Sequence, residues 1–92
     1  MYIILIYDIR TDEKGQKVLS RVFKTCKKYL SHIQLSVFEG EVSASQLNML
    51  KEELKKEIRP DRDSVIIFNS RQKKWLDKEM LGLQDNKAGF II

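Results

Sequence analysis

Residues Tyr2 to Tyr7 read Tyr-Ile-Ile-Leu-Ile-Tyr, an apolar run without alternation. Such a run, rich in β-branched and aromatic side chains, describes a strand buried on both faces, and therefore an inner position in a sheet. It stops at Asp8, which places a carboxylate at the strand's exit. A second strand of the same doubly apolar kind is expected at Ser64 to Asn69 (SVIIFN). Two such strands sit uneasily in a chain of 92 residues. A domain of that size buries only about two-thirds of the surface its unfolded chain exposes. Further burial against a partner is the simplest relief.

Between these strands the period changes. From about Glu13 to Leu30, Val18, Leu19, Val22, Phe23, Cys26, Tyr29 and Leu30 gather on one side of a helix. Thr11 or Asp12 can cap its start. The stretch His32 to Val42 (HIQLSVFEGEV) is extended in composition and carries Gly40, so it supplies one kinked strand or two strands joined tightly. Ser43-Ala44-Ser45-Gln46 has capping-box spacing, and Leu47, Leu50, Leu54 and Ile58 form the stripe of a second helix, closed by Pro60. The tail offers a short strand near Trp75 and a terminal one at Gly89 to Ile92.

Strand, helix, strands, helix, strand describes an α+β sandwich, one sheet with both helices on one face because crossovers are right-handed. The other face is left bare and apolar. A second copy stacked sheet against sheet would cover it, with residues of about 75–92 as a tail able to pair with that partner subunit. Residues 1–92 read as one domain, free of repeats and linkers. The apolar start has no basic leader and is far shorter than the ~20 residues a membrane span needs. The single Cys26 excludes an intrachain disulfide and a Cys/His zinc site. Together these features point to the cytoplasm.

Seventeen basic against thirteen acidic side chains give a formal charge of +4, an excess that matters only if it is gathered on one surface. Lys14, Lys17, Arg21, Lys24 and Lys28 follow a three-four-three-four spacing on the first helix and share one stripe. This ridge suits a phosphodiester backbone; the plain alternative is a solvated helix face. Asp8 is a candidate metal ligand, although one carboxylate is too few for magnesium unless a two-fold axis supplies another; otherwise it is a capping or loop-bonding aspartate. His32, the only histidine, either donates to phosphate, shuttles a proton, or is merely exposed. Cys26 belongs to the core. Trp75, beside Arg71, Lys73 and Lys74, is an aromatic for stacking on a base or for an interface.

Tyr-Asp-Ile (Tyr7 to Ile9) at a strand end, Ile-Gln-Leu-Ser-Val-Phe-Glu-Gly-Glu-Val (Ile33 to Val42) before the second helix, and Ser-Val-Ile-Ile-Phe (Ser64 to Phe68) together resemble the small CRISPR-associated protein of the second Cas family. The resemblance covers nearly the whole chain. It implies a ferredoxin-like βαββαβ sandwich with an extra C-terminal strand, and a homodimer in which Asp8 and its mate bind magnesium or manganese. It further implies cleavage of single-stranded RNA or of DNA, and a role bridging the CRISPR integrase of the first Cas family during spacer acquisition. Tyr7, Ser36 and Phe38 match family positions near the cleft. Some relatives carry arginines where this chain has Lys17 and His32, so the bidentate fork is missing at both places.

Three classes of function follow: a metal-dependent endonuclease relying on Asp8, a non-catalytic DNA-binding scaffold relying on the ridge, or a ribonuclease toxin on the same fold.

Overall fold

A computed structural model describes residues 1–82. The first apolar run becomes β1 (Tyr2–Asp8), hydrogen-bonded on both sides within a four-stranded sheet. After it come α1 (Gly15–Tyr29), β2 (Ser31–Gln34), β3 (Val37–Glu41), α2 (Ala44–Glu57) and β4 (Ser64–Ser70). The strand order is β2-β3-β1-β4, with every neighbour antiparallel, which is the ferredoxin-like βαββαβ arrangement.

Alternation along β1 decides which side chains meet the helices. Ile3, Leu5 and Tyr7 enter a core shared with Val18, Val22 and Cys26 of α1, Phe38 of β3, and Leu47, Leu50 and Leu54 of α2. Tyr2, Ile4, Ile6 and Asp8 therefore belong to the opposite face. There Ile4 lies opposite Phe68 and Ile6 opposite Ile66, so four apolar side chains adjoin on a face that neither helix covers. Phe68 and Ile66 are about half exposed, at 53% and 52%. This corrects the sequence reading of β4 as a second doubly buried strand. β4 pairs only with β1 among the described residues, and only Val65 and Ile67 reach the core.

Of the two readings open for His32 to Val42, the fold shows two strands joined tightly, and the start of α1 departs from expectation. The β2–β3 turn falls at Leu35 and Ser36, with Leu35 at φ 41° and a bulge between His32 and Gln34. Gly40 does not kink the chain but stands within β3, where a Cβ would come within 3.1 Å of Leu30 Cδ2. At the start of α1 neither Thr11 nor Asp12 is the cap residue; Lys14 is, and Asp12 serves it from outside by accepting the Lys14 N–H at 3.2 Å. By contrast, the capping box of α2 is formed: Ser43 Oγ accepts from Gln46 N–H at 3.0 Å, and Gln46 Oε1 from Ser43 N–H at 2.9 Å.

The expected strand near Trp75 is instead a 3₁₀ turn, Lys73–Trp75, because Arg71 to Lys74 offer no alternating apolar pattern to seat on a sheet. From there the chain returns across the open face, with Lys73 Nζ 5.6 Å from the Tyr2 ring centroid and Lys78 paired to Glu39. The terminal strand expected at Gly89 to Ile92 lies outside the described residues.

A charge clamp fixes the loop that follows β1. Asp63, with its side chain wholly buried, accepts from the Arg10 and Arg59 backbone N–H groups at 2.9 and 2.8 Å, and from the Arg59 guanidinium at 2.9 and 3.0 Å. Arg59 also pairs with Asp12 and donates to the Arg10 carbonyl at 3.0 Å. Hydrogen bonds from Arg59 hold the Asp63 carboxyl well below the usual carboxylate range. Removing one partner from such a pair strands the other, at a cost of roughly 3 kcal/mol. Asp63→Ala is thus expected to lower the urea-unfolding free energy by about that amount. A depressed native pKa stabilises above the unfolded value, so the deficit should be full at neutral pH and shrink as pH falls below about 4. A deficit independent of pH would place the effect elsewhere.

Candidate functional site

Asp8 leaves β1 on the open face, opposite Ser64, and is exposed. Its carboxylate makes no hydrogen bond or ion pair among the described residues. Loop-bonding duties at this corner are carried by Asp12 and Asp63 instead. Asp8 is therefore an uncommitted, hard oxygen donor.

Beside it opens a cleft of about 550 Å³ between α1, the end of β1 and the β2–β3 turn. Tyr7, Ile9, Leu19, Phe23 and Leu35 provide its apolar surface, and Asp8, Gln16, Ser20, Lys24 and Ser36 its polar one. The main chain ties the two walls together, since Tyr7 N–H donates to the Ser36 carbonyl at 3.1 Å. Tyr7 is 3% exposed, and burial pushes its phenol up to about 12. It is a wall of the cleft and holds its proton.

Phe38 and His32 stand behind the cleft and do not line it. Phe38 is fully buried, with ring centroids 6.0 Å from Tyr7, 5.4 Å from Phe23 and 4.8 Å from His32. His32 meets Phe23 edge to face at 4.9 Å, while its Nε2 lies 2.8 Å from the Leu35 carbonyl oxygen. That bond commits one ring nitrogen to bracing the turn. The pair thus fixes the Phe23 ring and the Leu35 backbone, both of which face the cleft.

The five cations of the expected ridge, Lys14 at the cap of α1 and Lys17, Arg21, Lys24 and Lys28 within it, are all exposed, yet they are not equivalent. Lys28 pairs with Glu53 of α2, which also accepts from the Tyr29 hydroxyl. Lys24 leans to the other flank and reaches the cleft. Lys14, Lys17 and Arg21 form no ion pair among the described residues and keep their charge for solvent. Cys26 is buried core, its thiol pushed up to about 12 by burial and then by Glu57. Trp75 is 73% exposed and stands apart from the cleft.

Sequence reasoning passed over Gln16 and Ser20. Their signal was present: with Lys24 they repeat every four residues along α1, a polar line next to the partly apolar Leu19 and Phe23.

Among the described residues, no group of three His, Cys, Asp or Glu side chains could hold a metal ion. Magnesium binds through one or two carboxylates, waters and phosphate oxygens. The Asp8 carboxylate suits it chemically, and because Asp12 and Asp63 are engaged by Arg59, a single chain supplies one uncommitted carboxylate at this corner.

The family model of the CRISPR associated protein Cas2 matches residues 1–78. A CRISPR-associated endoribonuclease Cas2 from Fusobacterium nucleatum is 54% identical over 92 residues, which span all of this chain and 87% of that protein. One from Dictyoglomus turgidum is 38% identical over the full length of both. The chain belongs to the Cas2 family. Its fold agrees: the crystal structure of Streptococcus pyogenes Cas2 superposes with a TM-score of 0.80 at 30% identity, covering 89% of this chain and all of that one. No helix among the described residues is long and apolar enough to cross a membrane.

The packing around the Cas2 site makes a spectroscopic prediction. Burial raises Tyr2 and Tyr7 to about 12, and hydrogen bonding to Glu53 raises Tyr29. At a pH of about 10.5, where free tyrosine is mostly phenolate, Tyr2 and Tyr7 should stay protonated, so the native protein should show distinctly less phenolate absorbance than the unfolded chain. Denaturant at the same pH should release it. A full phenolate signal from the folded protein would contradict the buried placement of Tyr7.

Proposed function

We propose that this chain is a metal-dependent phosphodiesterase acting on single-stranded RNA, with DNA as a second substrate. Two copies would join through their open sheet faces, each contributing Asp8 to one magnesium or manganese ion. The supporting observation is the position of Asp8: without a hydrogen bond or ion pair among the described residues, at the end of an apolar face that neither helix covers and on which Ile66 and Phe68 stay half exposed, and at the mouth of a polar-rimmed cleft. The relatives' description as endoribonucleases supports the same reading. Bound there, the ion would supply charge neutralisation at the phosphate and a more acidic water.

The chain's own residues have distinct tasks in this reading. Asp8 holds the ion. Lys24 offsets charge on a neighbouring phosphate. The apolar walls exclude water from one side of the substrate, which strengthens each electrostatic contact inside. Tyr7 shapes the wall and, remaining a neutral phenol at physiological pH, does not act as a base.

Asp8→Asn is expected to remove magnesium-dependent cleavage of RNA by at least about a hundredfold while leaving the dimer and its unfolding midpoint intact. Full activity in that variant, measured on pure protein with and without magnesium, would refute the proposal.

A second role rests on a separate observation, the stretch Lys14, Lys17 and Arg21, exposed and without an ion pair among the described residues. We propose that this ridge holds duplex DNA while the dimer bridges copies of the CRISPR integrase during spacer acquisition, a task for which cleavage is unnecessary. Each neutralised phosphate adds about 0.9 to the slope of log affinity against log salt on duplex DNA. Lys17→Glu with Arg21→Glu should therefore flatten that slope and weaken duplex binding, whereas Lys28→Ala, already neutralised by Glu53, should change it little. Equal effects from both changes would show that the ridge does not discriminate.

A further inference from the structure

The cleft beside Asp8 is larger and more apolar than gripping a phosphate requires. A phosphate needs donors at a surface; this site adds walls from Ile9, Leu19, Phe23 and Leu35. Its volume of about 550 Å³ lies within the range of roughly 300–1,000 Å³ typical of small-molecule sites. The Phe23 ring is preset, wedged edge-on against Phe38 and His32 with interplanar angles of 70° and 75°. The polar groups are also ready, because the side chains of Gln16, Ser20 and Ser36 have no hydrogen-bond partner among the described residues. A preformed apolar slot with a few convergent donors and acceptors suits a flat, polar-edged ligand.

We infer that this cleft receives the base of one unstacked nucleotide, with Gln16 and Ser20 reading its edge and Lys24 meeting its phosphate. The inference rests on the phosphodiesterase reading for the nature of the ligand, and it deepens that reading from a phosphate site to a nucleotide site. Single-stranded nucleic acid offers such bases because they can splay out and pack on aromatic side chains, while duplex bases stay stacked. The amide of Gln16 carries both donors and an acceptor, the combination needed to tell one base edge from another. Access from the Asp8 side would place the backbone of the captured nucleotide next to the carboxylate.

The test titrates the isotope-labelled, metal-free protein with each ribonucleoside monophosphate, each deoxyribonucleoside monophosphate, and ribose phosphate as a base-free control. Amide shifts are expected at Gln16, Ser20 and Ser36 with at least one nucleotide and not with ribose phosphate, whereas Lys24, which meets the phosphate, should respond to both. Ser20→Tyr, which fills the cleft from an exposed helix position, should abolish those shifts while leaving the far-ultraviolet spectrum unchanged. Gln16→Ala should change the ratio of cleavage rates between RNAs of different base by about tenfold. Identical shifts from ribose phosphate would reduce the cleft to a phosphate site and overturn the inference. So would shifts that survive Ser20→Tyr, or no shifts at all. Repeating the titration with Asp8→Asn separates the two proposals. Nucleotide shifts retained in a variant that still cleaves would sink the phosphodiesterase reading and keep the base pocket; lost cleavage with no wild-type shifts would do the reverse.

Discussion

The strict two-residue alternation of β1 governs the rest of the molecule. Because Ile3, Leu5 and Tyr7 must reach the core beneath two helices, Ile4, Ile6 and Asp8 have to emerge on the other side. A one-residue slip would bury Asp8 against Leu19 and Phe23 and expose three large apolar side chains, at about 1.5–3 kcal/mol each. Register is therefore well determined. So is the position of the carboxylate, which sits at the rim shared by two surfaces: the open apolar face and the cleft against α1. The carboxylate bonds to neither surface among the described residues.

Holding that corner still is a separate task, performed by charge. The loop from β1 to α1 has no apolar anchor of its own before Val18, apart from the partly buried Ile9. Asp63 supplies one by capturing the Arg10 N–H, while Arg59 reaches over to Asp12 and the Arg10 carbonyl. The same loop is tightened by Gly15, where a Cβ would fall 2.2 Å from the Arg10 carbonyl oxygen. Any side chain there would have to push the backbone away. The clamp and the glycine therefore set how far α1 stands from the end of β1, and so the width of the cleft.

Most of the scaffold was legible because it follows from periodicity. β1 and both helices could be read from apolar spacing, and the start of α2 from a capping box that needs only Ser43 and Gln46 at the right separation. What escaped depended on partners distant in the chain. The pairing of Arg59 and Asp63 with residues about fifty positions earlier leaves no local pattern. The turn at Leu35 uses a left-handed backbone without the glycine or asparagine that normally marks it, and His32 compensates from the neighbouring strand. That β4 would pair on one side only among the described residues could not be read from its composition, since Ile66 and Phe68 resemble core residues in any window. Asp8 was visible as a site candidate for a related reason: a lone charge closing an apolar run is out of place unless it has something to do.

The distribution of charge across α1 bears on how binding and chemistry could be kept apart. Within the ridge, Lys28 is held by Glu53 on the flank toward α2 and Lys24 turns toward the cleft, so its stretch from Lys14 to Arg21 faces solvent without an ion pair among the described residues, as does Lys27 elsewhere on the helix. That stretch is on the helix layer, whereas the open face with Ile66 and Phe68 lies across the sheet. A dimer built through the open faces would leave both copies of the ridge on its outside, pointing away from each other. A long, stiff polyanion could then lie along the outer helices without entering either cleft, because a duplex keeps its bases stacked inside. A single strand, with bases free to swing out, could do both. On the proposed reading, the two surfaces would sort nucleic acids by whether a base can leave the stack, which keeps duplex holding on the ridge apart from chemistry in the cleft.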